Sequence, residues 1–189
     1  MNAQESIQQC FFKLVLLMPY KSITITTICK EANVSRASFY DFFPNKEAVL
    51  ASIVEEDLIV PAKQLRQIIP TTRIKSAPQI LGELVYQNIS KHADFYKAVN
   101  KVDEGILLIK TITNGLASFN KTVLEDYELS DDEKWYTSYF FASSNAILIS
   151  KWLDRGLDIN PSQLGKWYNR WTQPYWQSAT PFKTDWMEP

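Results

Sequence analysis

One histidine, two cysteines and five glycines are all that 189 residues supply of three residue types that carry much of protein chemistry. With His92 the sole imidazole, no Ser/His/Asp or Cys/His set can be assembled around anything else, and no glycine-rich phosphate loop is present. An enzyme is therefore not expected, and neither a metal nor a cofactor is. His92 follows Lys91 near a helix end, where the helix dipole accounts for it without catalysis. Cys10 and Cys29 form neither a CxxC nor a Cys/His cluster, which removes a disulfide framework and a thiolate zinc site and leaves two free thiols. So few glycines disfavour a turn-rich sandwich or barrel. No stretch approaches the roughly 18 uninterrupted apolar residues of a membrane span. The first apolar run, Phe11 to Met18, is broken by Lys13 and lacks a small-residue cleavage site, so it does not read as a secretory signal. A soluble, cytoplasmic protein is expected.

Charge of one sign is also scarce. Lys and Arg total 20 against 21 Asp and Glu, a net charge of −1, which argues against holding nucleic acid by bulk charge alone. Over residues 1–50, Lys13, Lys21, Lys30, Arg36 and Lys46 face Glu5, Glu31, Asp41 and Glu47, so five minus four leaves +1. Any duplex contact made there rests on placed hydrogen bonds and on two modules acting together.

What is abundant is apolar and helix-forming: 46% of residues are hydrophobic and 13% aromatic, enough for a packed core. Ile7, Cys10, Phe11, Leu14, Val15 and Met18 fall at three- and four-residue steps, the period of one helix face, and Pro19 ends that run. Thr26 or Thr27 can cap a short helix to about Ala32, buried through Ile28, Cys29 and Ala32. Asn33 tolerates the left-handed turn, Val34 can plug the gap between two helices, and Ser35 is a favoured N-cap. The next helix, Ser35 to Phe43, faces Phe39 and Phe42 inward and leaves Arg36, Ala37, Ser38 and Tyr40 outside. Pro44 stops it and Asn45 caps another through Val49, Leu50, Ile53 and Val54, bending at Pro61 and ending near Pro70, where Thr71-Thr72 begins a polar connection. Ser76-Ala77-Pro78 opens a helix through Ile80, Leu81, Leu84, Val85 and Ile89. Asp94 caps a short one with Phe95, Tyr96 and Val99, and Asp103 to about Tyr127 is a long amphipathic stretch weakened at Gly105 and Gly115. Ser130 and Glu133 make a capping box for a helix over 131–155 that Gly156 closes in the left-handed conformation. Asn160-Pro161 opens a last helix to about Trp171, before Pro174, and 177–189 reads as a loose tail in which Phe182 and Trp186 could dock. The fold class is all-α, with about nine helices.

The run from Ile25 through Ala32-Asn33-Val34-Ser35, Arg36-Ala37, Ser38-Phe39-Tyr40, Asp41-Phe42-Phe43 and Pro44-Asn45-Lys46-Glu47 to Leu50 resembles the DNA-binding signature of the TetR family of transcriptional regulators. A threonine opens the second helix, an Ala-x-Val-Ser turn follows, a Ser-Phe-Tyr core and an aromatic pair come next, and Lys-Glu opens the fourth helix. Motif-level similarity covers roughly residues 5–55, and Trp152-Leu153-Asp154-Arg155-Gly156 resembles the end of the family's eighth helix. Three positions depart from the pattern: Asn33 where glycine is usual, Cys29 where alanine is usual, and Asp41-Phe42 where a polar residue or histidine often precedes the second aromatic. Asp41 puts a carboxylate near phosphate unless it points away or accepts from a cytosine amine.

The resemblance implies a helix-turn-helix DNA-binding domain over 1–48, a helical regulatory and dimerisation domain over 49–176 and the tail over 177–189. A short helix with short or forked side chains on its N-terminal half fits the major groove. Arg36 then reads guanine with Ala37 and Ser38 against base edges, beside Ser35 at the helix start, while Thr26, Thr27, Tyr40 and Lys46 hold phosphates. One reading helix covers few base pairs, so a homodimer on a pseudo-palindromic double-stranded operator is expected. Tyr139, Ala142, Ser143, Ala146, Ile147, Trp152, Leu164, Trp167 and Trp171 on the last two helices are the interface candidates. The family usually closes a ligand pocket with its middle helices, for which Tyr86, His92, Phe95, Tyr96, Leu107, Trp135 and Tyr136 are candidates. The expected behaviour is repression relieved by an apolar or aromatic small-molecule effector; control by a protein partner, or activation instead of repression, is the alternative.

Overall fold

The computed structural model describes residues 2–68, 79–125 and 127–178, the side chains of 79–81 and 176–178 excepted. The polar connection at Thr71-Thr72, the Ser76-Ala77-Pro78 cap, the Ile80 and Leu81 side chains, and Phe182 and Trp186 of the tail lie outside the described residues. Among the described residues every regular element is helical. In chain order they are α1 (Ala3–Leu17), α2 (Ile25–Ala32), α3 (Arg36–Phe42), α4 (Lys46–Val54), α5 (Val60–Ile68), α6 (Gln79–Lys91), α7 (Ala93–Asn100), α8 (Ile106–Leu124), α9 (Asp131–Asp154) and α10 (Pro161–Ser178). None is long and apolar enough to cross a membrane.

The N-terminal head is α1 to α3 packed on the start of α4. Asn2 and Glu5 cap α1 reciprocally, satisfying N–H groups that a bare helix start leaves open. Ile7, Phe11, Leu14 and Val15 are buried on one face of α1, as the spacing predicts, and meet Ile28, Phe39, Val49 and Leu50 in one core. Cys10 and Met18, on the margin of that stripe, are half-buried.

Between α4 and α5 the chain does not break. Glu55–Ile59 widens into a single π turn, in which the Val60 N–H reaches back to Glu55 O, five residues earlier. The irregularity expected at Pro61 takes this form, one turn before the proline. Pro61 has no N–H to give the carbonyl four residues before it, Asp57 O, and that acceptor is taken instead by Asn88 Nδ2 of α6 at 2.7 Å. The Asp57 carboxylate accepts from Tyr96 Oη at 2.9 Å and pairs with His92 Nδ1 at 2.8 Å, so both faces of this turn are gripped by α6 and α7. Phe12 of α1 stacks on Phe95 with ring centres 4.3 Å apart, a second bond between head and body.

In the body, α8 packs along α9 and α10 lies across α6. Several boundaries differ from the sequence expectation. Asp94 sits in the first turn of α7 and does not cap it. The stretch from Asp103 is not yet helix: Asp103 (φ 47) and Glu104 (φ 55) are left-handed, and helix α8 starts only after Gly105 (φ 89). A Cβ at Gly105 would stand 2.7 Å from Ser150 Oγ, so that position needs glycine for space as well as for its dihedral. The capping box at Ser130 and Glu133 and the left-handed Gly156 (φ 75) bound α9 as expected. The last helix continues through Pro174 to Ser178 where an end near Trp171 was expected.

Candidate nucleic-acid interface

Local rules place α2 and α3. Thr24, extended at φ −108, is the N-cap of α2, its Oγ1 accepting from the Thr27 N–H at 3.1 Å. Such a cap contributes about 1 kcal/mol. Thr26 and Thr27 thus occupy the first turn, where a cap at one of them was expected; Thr26 is exposed and Thr27 half-buried. Asn33 adopts φ 52, ψ 46, the left-handed conformation that the turn requires, and the Val34 N–H closes it onto Cys29 O at 3.0 Å. Ser35 then caps α3, accepting from the Ser38 N–H at 3.0 Å. Burial raises the Cys29 thiol above its usual range.

The short helix α3 is braced from behind by Phe39, fully buried, with the Phe43 ring 6.0 Å from it. Phe42, expected to face inward, is 46% exposed. The helix ends at Phe42, and the extended backbone of Phe43 (φ −137) swings that ring into the core in its place. Arg36, Ala37 and Tyr40 are exposed and Ser38 half-buried, so the surface expected outside the protein is outside it. Arg36 Nη1 donates to Thr26 Oγ1 at 2.9 Å, Arg36 Nη2 to Tyr40 Oη at 3.3 Å, and the guanidinium carbon lies 5.8 Å from the Tyr40 ring centre. Asp41 is exposed.

Lys46 serves the head's architecture first. Its Nζ donates to Tyr20 O and Ile23 O, both at 2.9 Å, and lies 4.3 Å from the Tyr20 ring centre. Burial holds its ammonium below the usual lysine range. Tyr20 in turn donates to Glu47 Oε1 at 3.2 Å, so Lys46-Glu47 grips the 3-10 turn Tyr20–Ser22 from both ends. Two of the three ammonium protons are spent there, leaving one for a phosphate. Sequence reasoning missed this grip because the two carbonyls lie more than twenty residues away in the chain.

The residues expected to line a ligand pocket differ widely in exposure. Tyr86, Phe95 and Tyr96 are fully buried in the core. Tyr86 Oη donates to Asn145 Oδ1 at 2.6 Å, and burial raises both phenols well above their usual range, that of Tyr96 further through the charge of Asp57. Leu107 is half-buried, His92 lies at the surface against Asp57, and Trp135 and Tyr136 stand exposed at the start of α9. A groove of about 330 Å³ lies elsewhere, between α5 and α8, lined by Lys63, Arg66, Gln67, Phe119 and Thr122.

The interface candidates divide as sharply. Ala142, Ala146, Trp152 and Leu164 are buried among neighbouring helices of the same chain. Trp152 Nε1 donates to Ile159 O at 2.9 Å in that interior. Tyr139, Ser143 and Trp167 are half-buried, and Ile147 and Trp171 are exposed. Tyr136 (69%), Phe140 (67%) and Ile147 (49%) recur every four to seven residues along one outer face of α9, and Trp171 (56%) stands out from α10. Thr137 Oγ1 and Tyr175 Oη, 2.9 Å apart, tie the two helices beside that face.

The model of the family described as "Bacterial regulatory proteins, tetR family" matches residues 16–53, which run from the end of α1 to the end of α4. An uncharacterized HTH-type transcriptional regulator, YxbF of Bacillus subtilis (strain 168), is 30% identical over 78 residues, 41% of this chain and 19% of that protein. The chain thus spans about a fifth of the length of the curated relative it matches. Two solved structures show the same fold across nearly the whole chain. The dihydroxyacetone kinase operon activator DhaS is 19% identical, covers 95% of this chain and 98% of its own, and superposes with a TM-score of 0.58. The TetR family repressor AlkX from Dietzia sp. Strain DQ12-45-1b, implicated in biodegradation of n-alkanes, is 17% identical, covers 94% and 97%, and has a TM-score of 0.58.

Proposed function

We propose that the chain, whose residues 16–53 match the tetR family model, is a homodimeric transcriptional regulator of that family that places α3 of each subunit in the major groove of a pseudo-palindromic operator. The observation that carries this reading is the exposed surface of Arg36, Ala37 and Tyr40 on a helix locked from behind by Phe39 and Phe43. Arg36 reads a guanine through its forked donors, Ala37 and Ser38 approach base edges, and Ser35 with the start of α3 meets the backbone. Thr27 and the one remaining proton of Lys46 supply phosphate contacts. The division at residue 48 is functional on this view, the head meeting DNA and the body over 49–176 setting how two heads are spaced. The second copy is held by the outer face of α9, through Tyr136, Phe140, Ser143 and Ile147, together with Trp171, because a monomer rarely leaves such a run of large apolar side chains in water.

Repression relieved by an apolar or aromatic effector is the form of control we assign, supported by the likeness to a TetR family repressor implicated in biodegradation of n-alkanes and by a body rich in buried aromatic rings such as Tyr86, Phe95 and Tyr96. Activation is the second reading, favoured by the likeness to an operon activator. Both place the protein in the cytoplasm, where the operator is. The test is enrichment of bound sequences from a random duplex pool by the purified full chain and by Arg36→Ala. Loss of preference at defined positions supports base reading by α3; uniform weakening assigns Arg36 to phosphate, and no enrichment by the unaltered chain overturns DNA recognition.

A further inference from the structure

A long arginine on an exposed helix has many rotamers, yet Arg36 is held in one. Its two anchors come from different elements: Thr26 from the first turn of α2, Tyr40 from the next turn of α3. The guanidinium bonds at 2.9 and 3.3 Å bridge the two helices of the helix-turn-helix across its solvent side. All three residues are exposed, so each bond replaces one to water and adds little to folding. What the bonds change is where the guanidinium points.

Two further facts bear on purpose. Neither anchor is a carboxylate, so the guanidinium keeps its full charge for an acceptor edge. Two bonds also leave most of its N–H donors unspent, enough for the paired contact that guanine O6 and N7 accept.

We infer that Thr26 and Tyr40 are positioning residues for base reading: their hydroxyls hold the Arg36 guanidinium ready for a guanine edge, and they act on sequence preference through Arg36, not by holding phosphates. This rests on the major-groove reading above and reassigns two residues whose hydroxyls alone suggest backbone contacts. Pre-ordering removes from the binding step the cost of fixing one rotamer-rich side chain, equivalent to about three- to ten-fold in affinity, and only for duplexes in which Arg36 finds its guanine.

Two defined duplexes test it, one carrying the enriched sequence and one with the guanine read by Arg36 replaced. Each is titrated at two salt concentrations with the full chain and with Thr26→Val, Thr26→Ser, Tyr40→Phe, Arg36→Ala, and Thr26→Val or Tyr40→Phe combined with Arg36→Ala. Unfolding midpoints equal to that of the unaltered chain establish that each variant is folded. The expected result is a three- to ten-fold loss of discrimination between the duplexes in Thr26→Val and in Tyr40→Phe, about as estimated, with the salt dependence unchanged. Thr26→Ser retains discrimination, and neither substitution has any effect once Arg36 is alanine. Equal weakening on both duplexes with a shallower salt dependence, or an effect that persists without Arg36, makes these residues phosphate contacts and overturns the inference. If the unaltered chain discriminates but Arg36→Ala discriminates equally well, the inference fails while DNA recognition stands. If the unaltered chain binds neither duplex, recognition itself fails first.

Discussion

Where α10 crosses α6, two glycines face the same interface and answer the same substitution with opposite signs. A Cβ built on Gly165 stands 2.9 Å from Glu83 Cα, 3.1 Å from Glu83 N and 3.2 Å from Glu83 Cβ. Those are backbone and near-backbone atoms in the middle of a helix, so relief requires moving α10 bodily away from α6. Because backbone atoms must move, the overpacking falls in the upper part of the usual range, about 2–3 kcal/mol, against which alanine recovers about 1 kcal/mol of helix propensity, leaving Gly165→Ala less stable by about 1–2 kcal/mol. A Cβ on Gly82 meets nothing nearer than Tyr168 Cδ1 at 3.9 Å, an ordinary contact. Gly82→Ala therefore keeps the propensity gain and is more stable by about 0.5–1 kcal/mol. For a chain of this size the pair should move the unfolding midpoint down by about 2–8 °C and up by about 1–4 °C respectively. Thermal and urea unfolding followed by far-ultraviolet circular dichroism, at one protein concentration because the proposed dimer would add to stability, measures both. If Gly165→Ala equals or exceeds the unaltered chain, the close crossing at Glu83 is not what selects glycine there, and the packing account of this interface is refuted.

Three further outcomes are expected. Phe140→Glu with Ile147→Glu should convert a dimer to a soluble monomer with unchanged helix content, read by sedimentation or light scattering; a persisting dimer places the partner elsewhere. Asn33→Ala should destabilise the head by about 1 kcal/mol and Asn33→Gly should not, because only alanine pays for the left-handed dihedral; equal unfolding midpoints would contradict that turn geometry. Hydrogen bonds from Ser130 hold the Glu133 carboxyl below the usual carboxylate range, so its stabilising effect is complete above its unfolded value and disappears as pH falls through the folded one. The protection of amides in the first turn of α9, measured as exchange relative to the intrinsic rate at the same pH, should fall over that acid range in the unaltered chain and should not show this fall in Glu133→Gln; equal profiles would contradict the cap's role.

Much of this architecture is written in short-range chemistry. Ser35, Asn45, Ser130 with Glu133 and Gly156 mark helix ends that the structure places within a residue or so of expectation, because a cap depends on neighbours a few positions away. The choice between Phe42 and Phe43 turned on where α3 stops, and a one-residue difference there reverses which ring is buried. Ala142 and Ala146 illustrate a different limit. Small side chains permit any close helix neighbour, and periodicity does not say whether that neighbour belongs to the same chain; here it does. The left-handed Asp103 and Glu104 leave no local signal, and the Gly105 that follows them approaches Ser150, forty-five residues away in the chain. The surface of α3 was legible because an Arg-Ala-Ser sequence beside core aromatics has few other uses, whereas the anchoring of Arg36 by Thr26 depends on a contact ten residues distant.

The π turn at Glu55–Ile59 has a mechanical corollary. It is the fulcrum of a lever: α4, nine residues and so about 14 Å long, extends from it toward the head. A tilt of about 10° at the fulcrum would carry the far end by about 2 Å, and in a two-fold assembly the opposite arm moves as well, changing the span between tips by up to about 4 Å, comparable to one base-pair step. Because Asn88, His92 and Tyr96 clamp that fulcrum, small repacking in the body would, in the proposed dimer, be geared up into a mismatch with the periodicity of the duplex.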